Sequence, residues 1–511
     1  MTSAPLHFSS TVADMIRRSS GRFGSATALE FADRTWSYHE LDRAVTAMAD
    51  TLRSRGLNRG DRVGAYGKNS DLYVLLYLGC ARAGLIHVPV NFQLKAEELD
   101  YILDNADVAL VVTDTDLRPH VEATPTGASV PVSEFTEFLE PALEAAKHDS
   151  SAGSEAVTGY DVADDDIAQL LFTSGTTSAP KGAVMTHRAL VHEYLSCLQS
   201  LDFADTDRVV HALPLYHSAQ MHVFLLPLLA VGAHNIIVPA PVPETLLEIF
   251  ESRRINSFFA APTVWVALAN SPDLETRDLS NLRKAYYGAS IMPGPVLRKL
   301  RSRLPELGFY NCFGQSELGP LCTVLRPEEH DDHPGSAGRS VLFVETRVVD
   351  DAGNDLAPGE LGEILYRSPQ LCEGYWRKPE ATRDAFTDGW FHSGDLVRMD
   401  ENGFVEVIDR VKDVINTGGV LVASRQVEDV IFELPTVAEV AVVGVADERW
   451  IEAITAFVVV KPGAEALTEA EVIDHVKGRL AGFKVPKRVA FIDELPKNSS
   501  GKILKRRLRE V

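Results

Sequence analysis

The chain has 511 residues, 45% hydrophobic and 24% charged, with 50 Lys plus Arg against 72 Asp plus Glu and a net charge of -22. So long a chain exceeds what one hydrophobic core fills, and at least two domains are expected. The acidic balance argues against nucleic-acid binding, which needs a positive surface for phosphate backbones, and favours a small-molecule substrate.

Five scattered cysteines without a C-x-x-C pair suggest neither a disulfide framework nor a zinc site, and fit a reducing compartment. The first 20 residues lack a continuous apolar core and carry Asp14, Arg17 and Arg18, unlike a signal peptide, so a cytoplasmic protein is expected. Residues 209–243 carry no Lys, Arg, Asp or Glu and are long enough to span a bilayer. Pro214, Pro227, Pro239, Pro241 and Pro243, with His211, His217, His222 and His234, instead mark a buried helix and strand lining a pocket. No membrane span is expected.

In chain order, residues 35–50 predict a short extended piece and a helix from Tyr38, with Leu41, Ala44, Val45 and Met48 on one face. Residues 60–67 predict a strand between glycines, 70–84 an apolar helix, 85–91 a buried strand, 96–105 a helix and 108–113 another buried strand. That alternation implies parallel β/α units. A polar bridge at 148–166 precedes the apolar run 167–172, read as a strand, and then TSGTT at 173–177 with Pro180, Lys181 and Gly182. Glycine, small hydroxyls and one lysine can close on polyphosphate, although the spacing is not that of a Walker A loop and such a cluster by itself marks only a loop. A helix at 188–199 and β/α units through 235–238, 257–261 and 284–288 follow. Residues 345–409 change to short alternating strands with Gly- and Asp-rich turns, a β-rich subdomain. DRVKD at 409–413 is a charged break. Strands at 437–445 and 454–461, an amphipathic helix at 469–480 and a strand at 489–492 form a separate small α+β domain.

Several spaced motifs then agree: TSGTTSAPKG at 173–182, LPLYHS at 213–218, YYGAS at 286–290, YNCFGQSE at 310–317, GYWRKPEAT at 374–382, WFHSGD at 390–395, DRVKDVINTGG at 409–419 and PKNSSGKILKRRLR at 496–509. In joint order and spacing the chain resembles the adenylate-forming enzymes: acyl-CoA synthetases, nonribosomal-peptide adenylation domains and firefly luciferase. It looks most like the fatty-acyl and aryl-acyl CoA ligases. The resemblance implies an α/β fold with a large N-terminal domain, residues 1–408, made of β/α subdomains plus a β-rich subdomain. A hinge at 409–413 and a small mobile α+β C-terminal domain at 414–511 follow. It also implies a two-step reaction using ATP, Mg²⁺ and CoA, through an acyl-adenylate to a thioester.

Residue by residue, the resemblance implies that Thr173, Ser174, Gly175, Thr176, Thr177 and Lys181 cradle the β- and γ-phosphates, and that Glu317, with Thr173, holds Mg²⁺. Ser316 would donate to the α-phosphate, and Lys502 would stabilise charge developing there. Asn311 and Phe313 would meet the adenine, with Ala289 and Ser290 beside the nucleotide. Asp395 would accept from both ribose hydroxyls, and Arg410 would add a ribose contact. His217 matches the residue that gates the carboxylate site, while His211, His222 and His234 read as structural. Tyr216, Met221, Phe224, Gly288, Ala289 and Gly314 would build the acyl pocket. Their mostly apolar or small character implies a hydrophobic acid and disfavours a dicarboxylate. Lys412 sits at the hinge position, and Gly418 and Gly419 would let the pantetheine arm of CoA approach the backbone.

Two departures stand out. Ser178 replaces the family's usual glycine in the phosphate loop, where a Cβ makes left-handed backbone costly by about 1 kcal/mol or more. Leu421 and Gln426 replace the usual Asn and Glu after the hinge. Alternatives therefore stay open: a ligase specialised for thioesterifying a supplied acyl-AMP from a separate adenylating enzyme, an acyl-AMP ligase loading a carrier protein, or a non-catalytic binding protein on the same scaffold. The sequence names neither the acid nor the choice between monomer and homodimer.

Overall fold

The computed structural model describes residues 10–147, 161–173, 179–290, 292–447, 449–461, 463–497 and 503–509. The chain divides into two units, the first Met1–Thr173, Pro180–Glu345 and Arg367–Phe391, the second Ser174–Ala179, Thr346–Tyr366 and His392–Val511. The fold is α/β, as expected.

The first unit holds two sheets. A six-stranded sheet runs in the order Val132–Glu134, Val108–Thr113, Arg62–Tyr66, Ile86–Val90, Ile167–Thr173, Lys181–Thr186, parallel except for the last pair. A nine-stranded sheet has a parallel middle, Gly308–Phe313, Lys284–Gly288, Ser257–Ala260, Arg208–His211, His234–Ile237 and Thr27–Phe31. Antiparallel strands close both of its margins.

The helices begin and end where the local chemistry directs. The helix Tyr38–Ser54 starts in a capping box between Ser37 and Glu40. The helix Asp71–Ala83 is buried on every side, starts where Ser70 accepts from the Tyr73 N–H and stops at left-handed Gly84. A helix apolar all round belongs in a core, and its residues join those of Tyr38–Ser54 in one hydrophobic cluster.

Two elements differ from the sequence reading. The sequence reading assigns no element between Gly182 and the helix at 188, yet Lys181–Thr186 is a strand, with Thr173 opposite Lys181. The six residues KGAVMT give too short a pattern to register, and pairing with Ile167–Thr173 makes the strand. The apolar segment after LPLYHS is helical as expected, but Ala219–Leu225 is a π-helix that passes into an α-helix at Leu226–Val231. Among the described residues no helix is long and apolar enough to cross a membrane.

In the second unit an antiparallel ladder pairs residues 395–399 with 405–410, Asp395 opposite Arg410. Further along lies a sheet ordered Val420–Val422, Ile415–Thr417, Ile451–Val460, Val437–Asp447, with Arg488–Phe491 added parallel to Ile451–Val460. The helices Ser424–Phe432 and Glu469–Lys477 contribute Val427, Ile431, Val472 and Val476 to its core, beside Ile415, Val442 and Ile454.

One buried carboxyl of the first unit organises the chain that follows Glu317. Glu193, on the helix His187–Ser200, accepts from the Leu321 N–H (3.1 Å) and from Gln370 Nε2 (3.2 Å). Gln370 also donates to the Leu318 and Leu321 carbonyls and accepts from the Ser196 hydroxyl. Burial pushes the Glu193 carboxyl well above the usual range. A raised folded-state value means full stability below the unfolded value near 4.5 and progressive loss as pH rises above it. Glu193→Gln, which cannot ionise, is therefore expected to gain thermal stability relative to wild type as pH is raised from 5 to 8, roughly in that range. Melting curves across that range check this. Glu193→Ala, which orphans the Leu321 N–H and removes one of the acceptors of Gln370, should lose about 1–3 kcal/mol.

Candidate active site

Parallel strands deliver their carboxyl ends to one edge, where ligands of open α/β sheets bind. In the first unit that edge carries most of the residues singled out by sequence. Arg208–His211 leads into residues 213–218. Lys284–Gly288 leads into Ala289 and Ser290, and Gly308–Phe313 leads into Gly314 and the short helix Ser316–Leu318.

Glu317 is the centre of this edge. It is only 9% exposed, yet the strand Ile167–Thr173 and the segment holding Cys372 and Tyr375 meet on it. Its Oε1 accepts from the Thr173 hydroxyl (3.3 Å) at the end of Ile167–Thr173 and from the Tyr375 phenol (3.0 Å). Its carbonyl accepts from the Cys372 N–H (2.8 Å). Lys181, opposite Thr173 in the hairpin, places its Nζ 5.0 Å from the Tyr375 ring centroid. Burial and the adjoining Glu317 carboxylate push the Tyr375 phenol far above its ordinary value, so it stays a donor. Ser316 Oγ lies 2.9 Å from Ser218 Oγ, joining the 316–318 turn to the segment after His211–Leu215. Thr173, Lys181, Ser316 and Glu317 are thus brought together. Ser174, Gly175, Thr176, Thr177, Ser178 and Lys502 lie outside the described residues.

The strand ends are shaped by close packing. A Cβ on Gly288 would lie 2.2 Å from the Cys312 carbonyl oxygen, and one on Gly314 would lie 1.8 Å from that of Pro320. Both glycines are required by backbone contact. Ala289 adopts φ 63°, a left-handed conformation costly for a residue with a Cβ, and it is exposed, as is Ser290. Asn311 donates from Nδ2 to the Ser336 carbonyl (3.0 Å), so its amide is already oriented, and Phe313 is half-buried.

The apolar residues pack with other aromatic side chains. Phe224 stacks on Phe259 with centroids 4.0 Å apart and lies 5.2 Å from Tyr286. Tyr216 meets Phe92 edge-on at 5.7 Å. Met221 and Tyr216 pack into the same cluster. His217 keeps an exposed face, while the protein around it disfavours the imidazolium and lowers its pKa. His211, His222 and His234 are each hydrogen-bonded, to Asn235, to Gln169 and Tyr194, and to Glu30.

The second unit holds its own pair. Asp395, 2% exposed, binds Arg410 (Nε to Oδ1, 2.8 Å) across the ladder. Arg410 also donates to the Ser393 carbonyl (3.1 Å), and the Asp395 N–H donates to the Ser393 hydroxyl. Lys412 sits in the 3₁₀ turn Val411–Asp413, its carbonyl accepting from Arg509 (3.0 Å). Gly418 and Gly419, at φ 63° and 85°, make the tight turn between Ile415–Thr417 and Val420–Val422. Beside that turn, Leu421 is 64% exposed, and Gln426 accepts from Lys484 (2.6 Å).

Sequence reasoning passed over Tyr375 and Phe259. Tyr375 lies inside the quoted GYWRKPEAT motif, and that was the available signal. Phe259 sits in a buried strand, where nothing local marks its stack on Phe224. Among the described residues no group of three or more His, Cys, Asp or Glu side chains is arranged to hold a metal.

Comparison with known proteins agrees with this geometry. Residues 16–376 match the family model of AMP-binding enzymes, and residues 426–502 match the AMP-binding enzyme C-terminal domain. The chain is 35% identical to a feruloyl-CoA synthase from Amycolatopsis sp, covering 95% of both chains. It is 31% identical to a long-chain-fatty-acid–CoA ligase of Mycobacterium tuberculosis, covering 94% of this chain and 93% of that one. Among solved structures, ATP-bound MatB from Rhodopseudomonas palustris superposes with a TM-score of 0.87 at 32% identity over 98% of both chains. The chain belongs to the AMP-binding enzymes, as a member of the adenylate-forming acyl-CoA synthetases.

Proposed function

We propose that this enzyme converts a hydrophobic carboxylic acid, with ATP and CoA, into its CoA thioester, and that an aromatic acid suits it best. The convergence of Thr173 and Tyr375 on the buried Glu317 carboxylate, with Lys181 against the Tyr375 ring, carries the reading. Support for an aromatic acid comes from the Phe224–Phe259 stack with Tyr286 and Tyr216, and from the relative named feruloyl-CoA synthase.

In the first half-reaction a carboxylate oxygen bonds to the ATP α-phosphorus and the bond to pyrophosphate breaks. Two anions meet, so the barrier is largely electrostatic. Thr173 to Lys181 supply donors and charge to the β- and γ-phosphates, Ser316 donates at the α-phosphate, and Lys502 stabilises the charge that develops there. Asn311 and Phe313 bind adenine with Ala289 and Ser290 beside it. Asp395, oriented by Arg410, accepts from the ribose hydroxyls. His217, kept neutral by its surroundings, borders the carboxylate site. In the second half-reaction the CoA thiolate sulfur bonds to the acyl carbon and AMP leaves, with Gly418 and Gly419 beside the pantetheine arm and Lys412 at the hinge.

A Mg²⁺ ion suits this donor set: the Thr173 hydroxyl and Glu317 carboxylate are hard oxygens, and both are already held in place by hydrogen bonds. When bound it would supply positive charge to the ATP phosphates.

The decisive experiment is acid-dependent ATP–pyrophosphate exchange over a panel of aryl and fatty acids, followed by mass detection of the CoA thioester. Exchange with no acid on the panel would overturn the reading. Glu317→Gln should lower exchange by about 10²- to 10³-fold. Tyr375→Phe, which removes one hydrogen bond to the same oxygen, should cost about 5- to 10-fold. Asp395→Asn should raise the KM for ATP by about tenfold while the KM for the acid holds. Slow exchange that Ser178→Gly accelerates, with rapid thioester formation from synthetic acyl-AMP, would identify an enzyme specialised for the second half-reaction.

A further inference from the structure

We propose that Gln169 and His222 are positioning residues that set the shape of the acyl pocket, by tying the π-helix Ala219–Leu225 to the strand that delivers Thr173. This rests on the assignment of Met221 and Phe224 to the acyl wall.

The π-helix is the starting observation. The Leu226 N–H bonds to the Met221 carbonyl, five residues back. Such single-turn widenings are rare and concentrate at functional sites. They give up regular helical pairing, so surrounding contacts must hold them. Here the contacts are buried and polar, in a segment otherwise apolar.

Residues 218, 220 and 222 supply three tethers. Ser218 meets Ser316 Oγ at 2.9 Å. Gln220 accepts from the Leu213 N–H (3.1 Å) and donates to His211 Nδ1 (2.8 Å), and His211 Nε2 lies 2.8 Å from Asn235 Oδ1. His222 lies 2.8 Å from the Tyr194 hydroxyl through Nδ1 and 2.7 Å from Gln169 Oε1 through Nε2. Met221 stands between two tethered neighbours, and Phe224 follows two residues after His222.

The Gln169 relay has one sense. Burial pushes the His222 and His87 imidazoles down to about 3, so both stay neutral at working pH. Gln169 Oε1 can only accept, so His222 donates from Nε2 and its Nδ1 accepts from Tyr194. Gln169 Nε2 donates in turn to His87 Nδ1 (2.9 Å), and the His87 ring stands edge-on to Tyr73 and Tyr77. Gln169, His222, His87 and Tyr194 are at most 1% exposed. Among the described residues His87 Nε2 finds no partner, but His222, Gln169 and Tyr194 are paired, and breaking the His222–Gln169 bond would leave further polar atoms unpaired in low dielectric.

Gln169 lies on Ile167–Thr173, four residues before Thr173, whose hydroxyl meets Glu317. Through this link the acyl wall and the phosphate-loop strand share one reference position. A shift of about 1 Å in a bound reactant can cost about 10²-fold in rate, so such registration matters.

The test measures acyl-adenylate formation for acids of graded width in Gln169→Leu, His222→Leu, Tyr194→Phe and His222→Gln, with Met221→Ala reporting on the wall and melting temperatures recorded throughout. Gln169→Leu and His222→Leu should raise the KM for the preferred acid by about tenfold and re-rank the acids, with the KM for ATP within about twofold. His222→Gln, which keeps a donor and an acceptor, should recover much of the ranking. Tyr194→Phe removes one hydrogen bond only, so it should fold and shift the ranking in the same direction. Unchanged ranking in the relay variants, while Met221→Ala re-ranks the acids, overturns the proposal and leaves the wall standing. Unchanged ranking in Met221→Ala as well overturns both.

Discussion

A buried carboxylate has to be held by hydrogen bonds, and in the first unit that requirement organises the catalytic edge. Glu317 draws a hydroxyl from the end of one sheet, a phenol from the 374–382 motif and a peptide N–H from Cys372. The hydroxyl comes from one part of the chain, and the phenol and the peptide N–H, which bonds the Glu317 main-chain carbonyl, from another. Losing any one leaves polar groups short of partners in a site with little access to water, which is costly. The group proposed to bind the metal is therefore pre-placed by the fold, with its oxygen positions set before any ligand arrives.

The same economy appears one layer further out. Glu193 and Gln370 hold residues 318–321, directly after Glu317, while Gln169 and His222 hold the π-helix that carries Met221 and Phe224. Both arrangements place polar groups in an apolar interior that disfavours charge: burial raises the Glu193 carboxyl well above the usual range and pushes the His222 imidazole down to about 3. Neutral groups avoid the desolvation cost of buried charge and keep directional bonds. Apolar packing alone would tolerate sliding, whereas a directional network does not. In the second unit the Asp395–Arg410 pair follows a different logic: the antiparallel register of residues 395–399 with 405–410 sets the two opposite each other, and the Ser393 carbonyl holds the Arg410 guanidinium.

Much of this was legible in the residues. Strands and helices with strong period or strong caps, such as Tyr38–Ser54, Asp71–Ala83 and Val108–Thr113, lie where the pattern puts them. The grouping of Thr173, Lys181, Ser316 and Glu317 followed from motif order. The strand Lys181–Thr186 did not, because six residues without alternation are stabilised by their partner strand more than by themselves. Nor did the π-helix, whose local sequence is simply apolar and helical. Tyr375 and Phe259 were hidden for related reasons: a tyrosine in a turn and a phenylalanine in a buried strand acquire roles only from distant residues.

By itself the sequence determined the class of fold, the order of its elements and the family chemistry, because periodicity, caps and spaced motifs are local properties of the chain. Only the tertiary structure decided which oxygen of Glu317 is occupied, that Ala289 is left-handed, and that His222 is tied to Gln169. Those facts depend on groups far apart in sequence meeting in an interior where each polar atom must find a partner. No local pattern encodes that meeting.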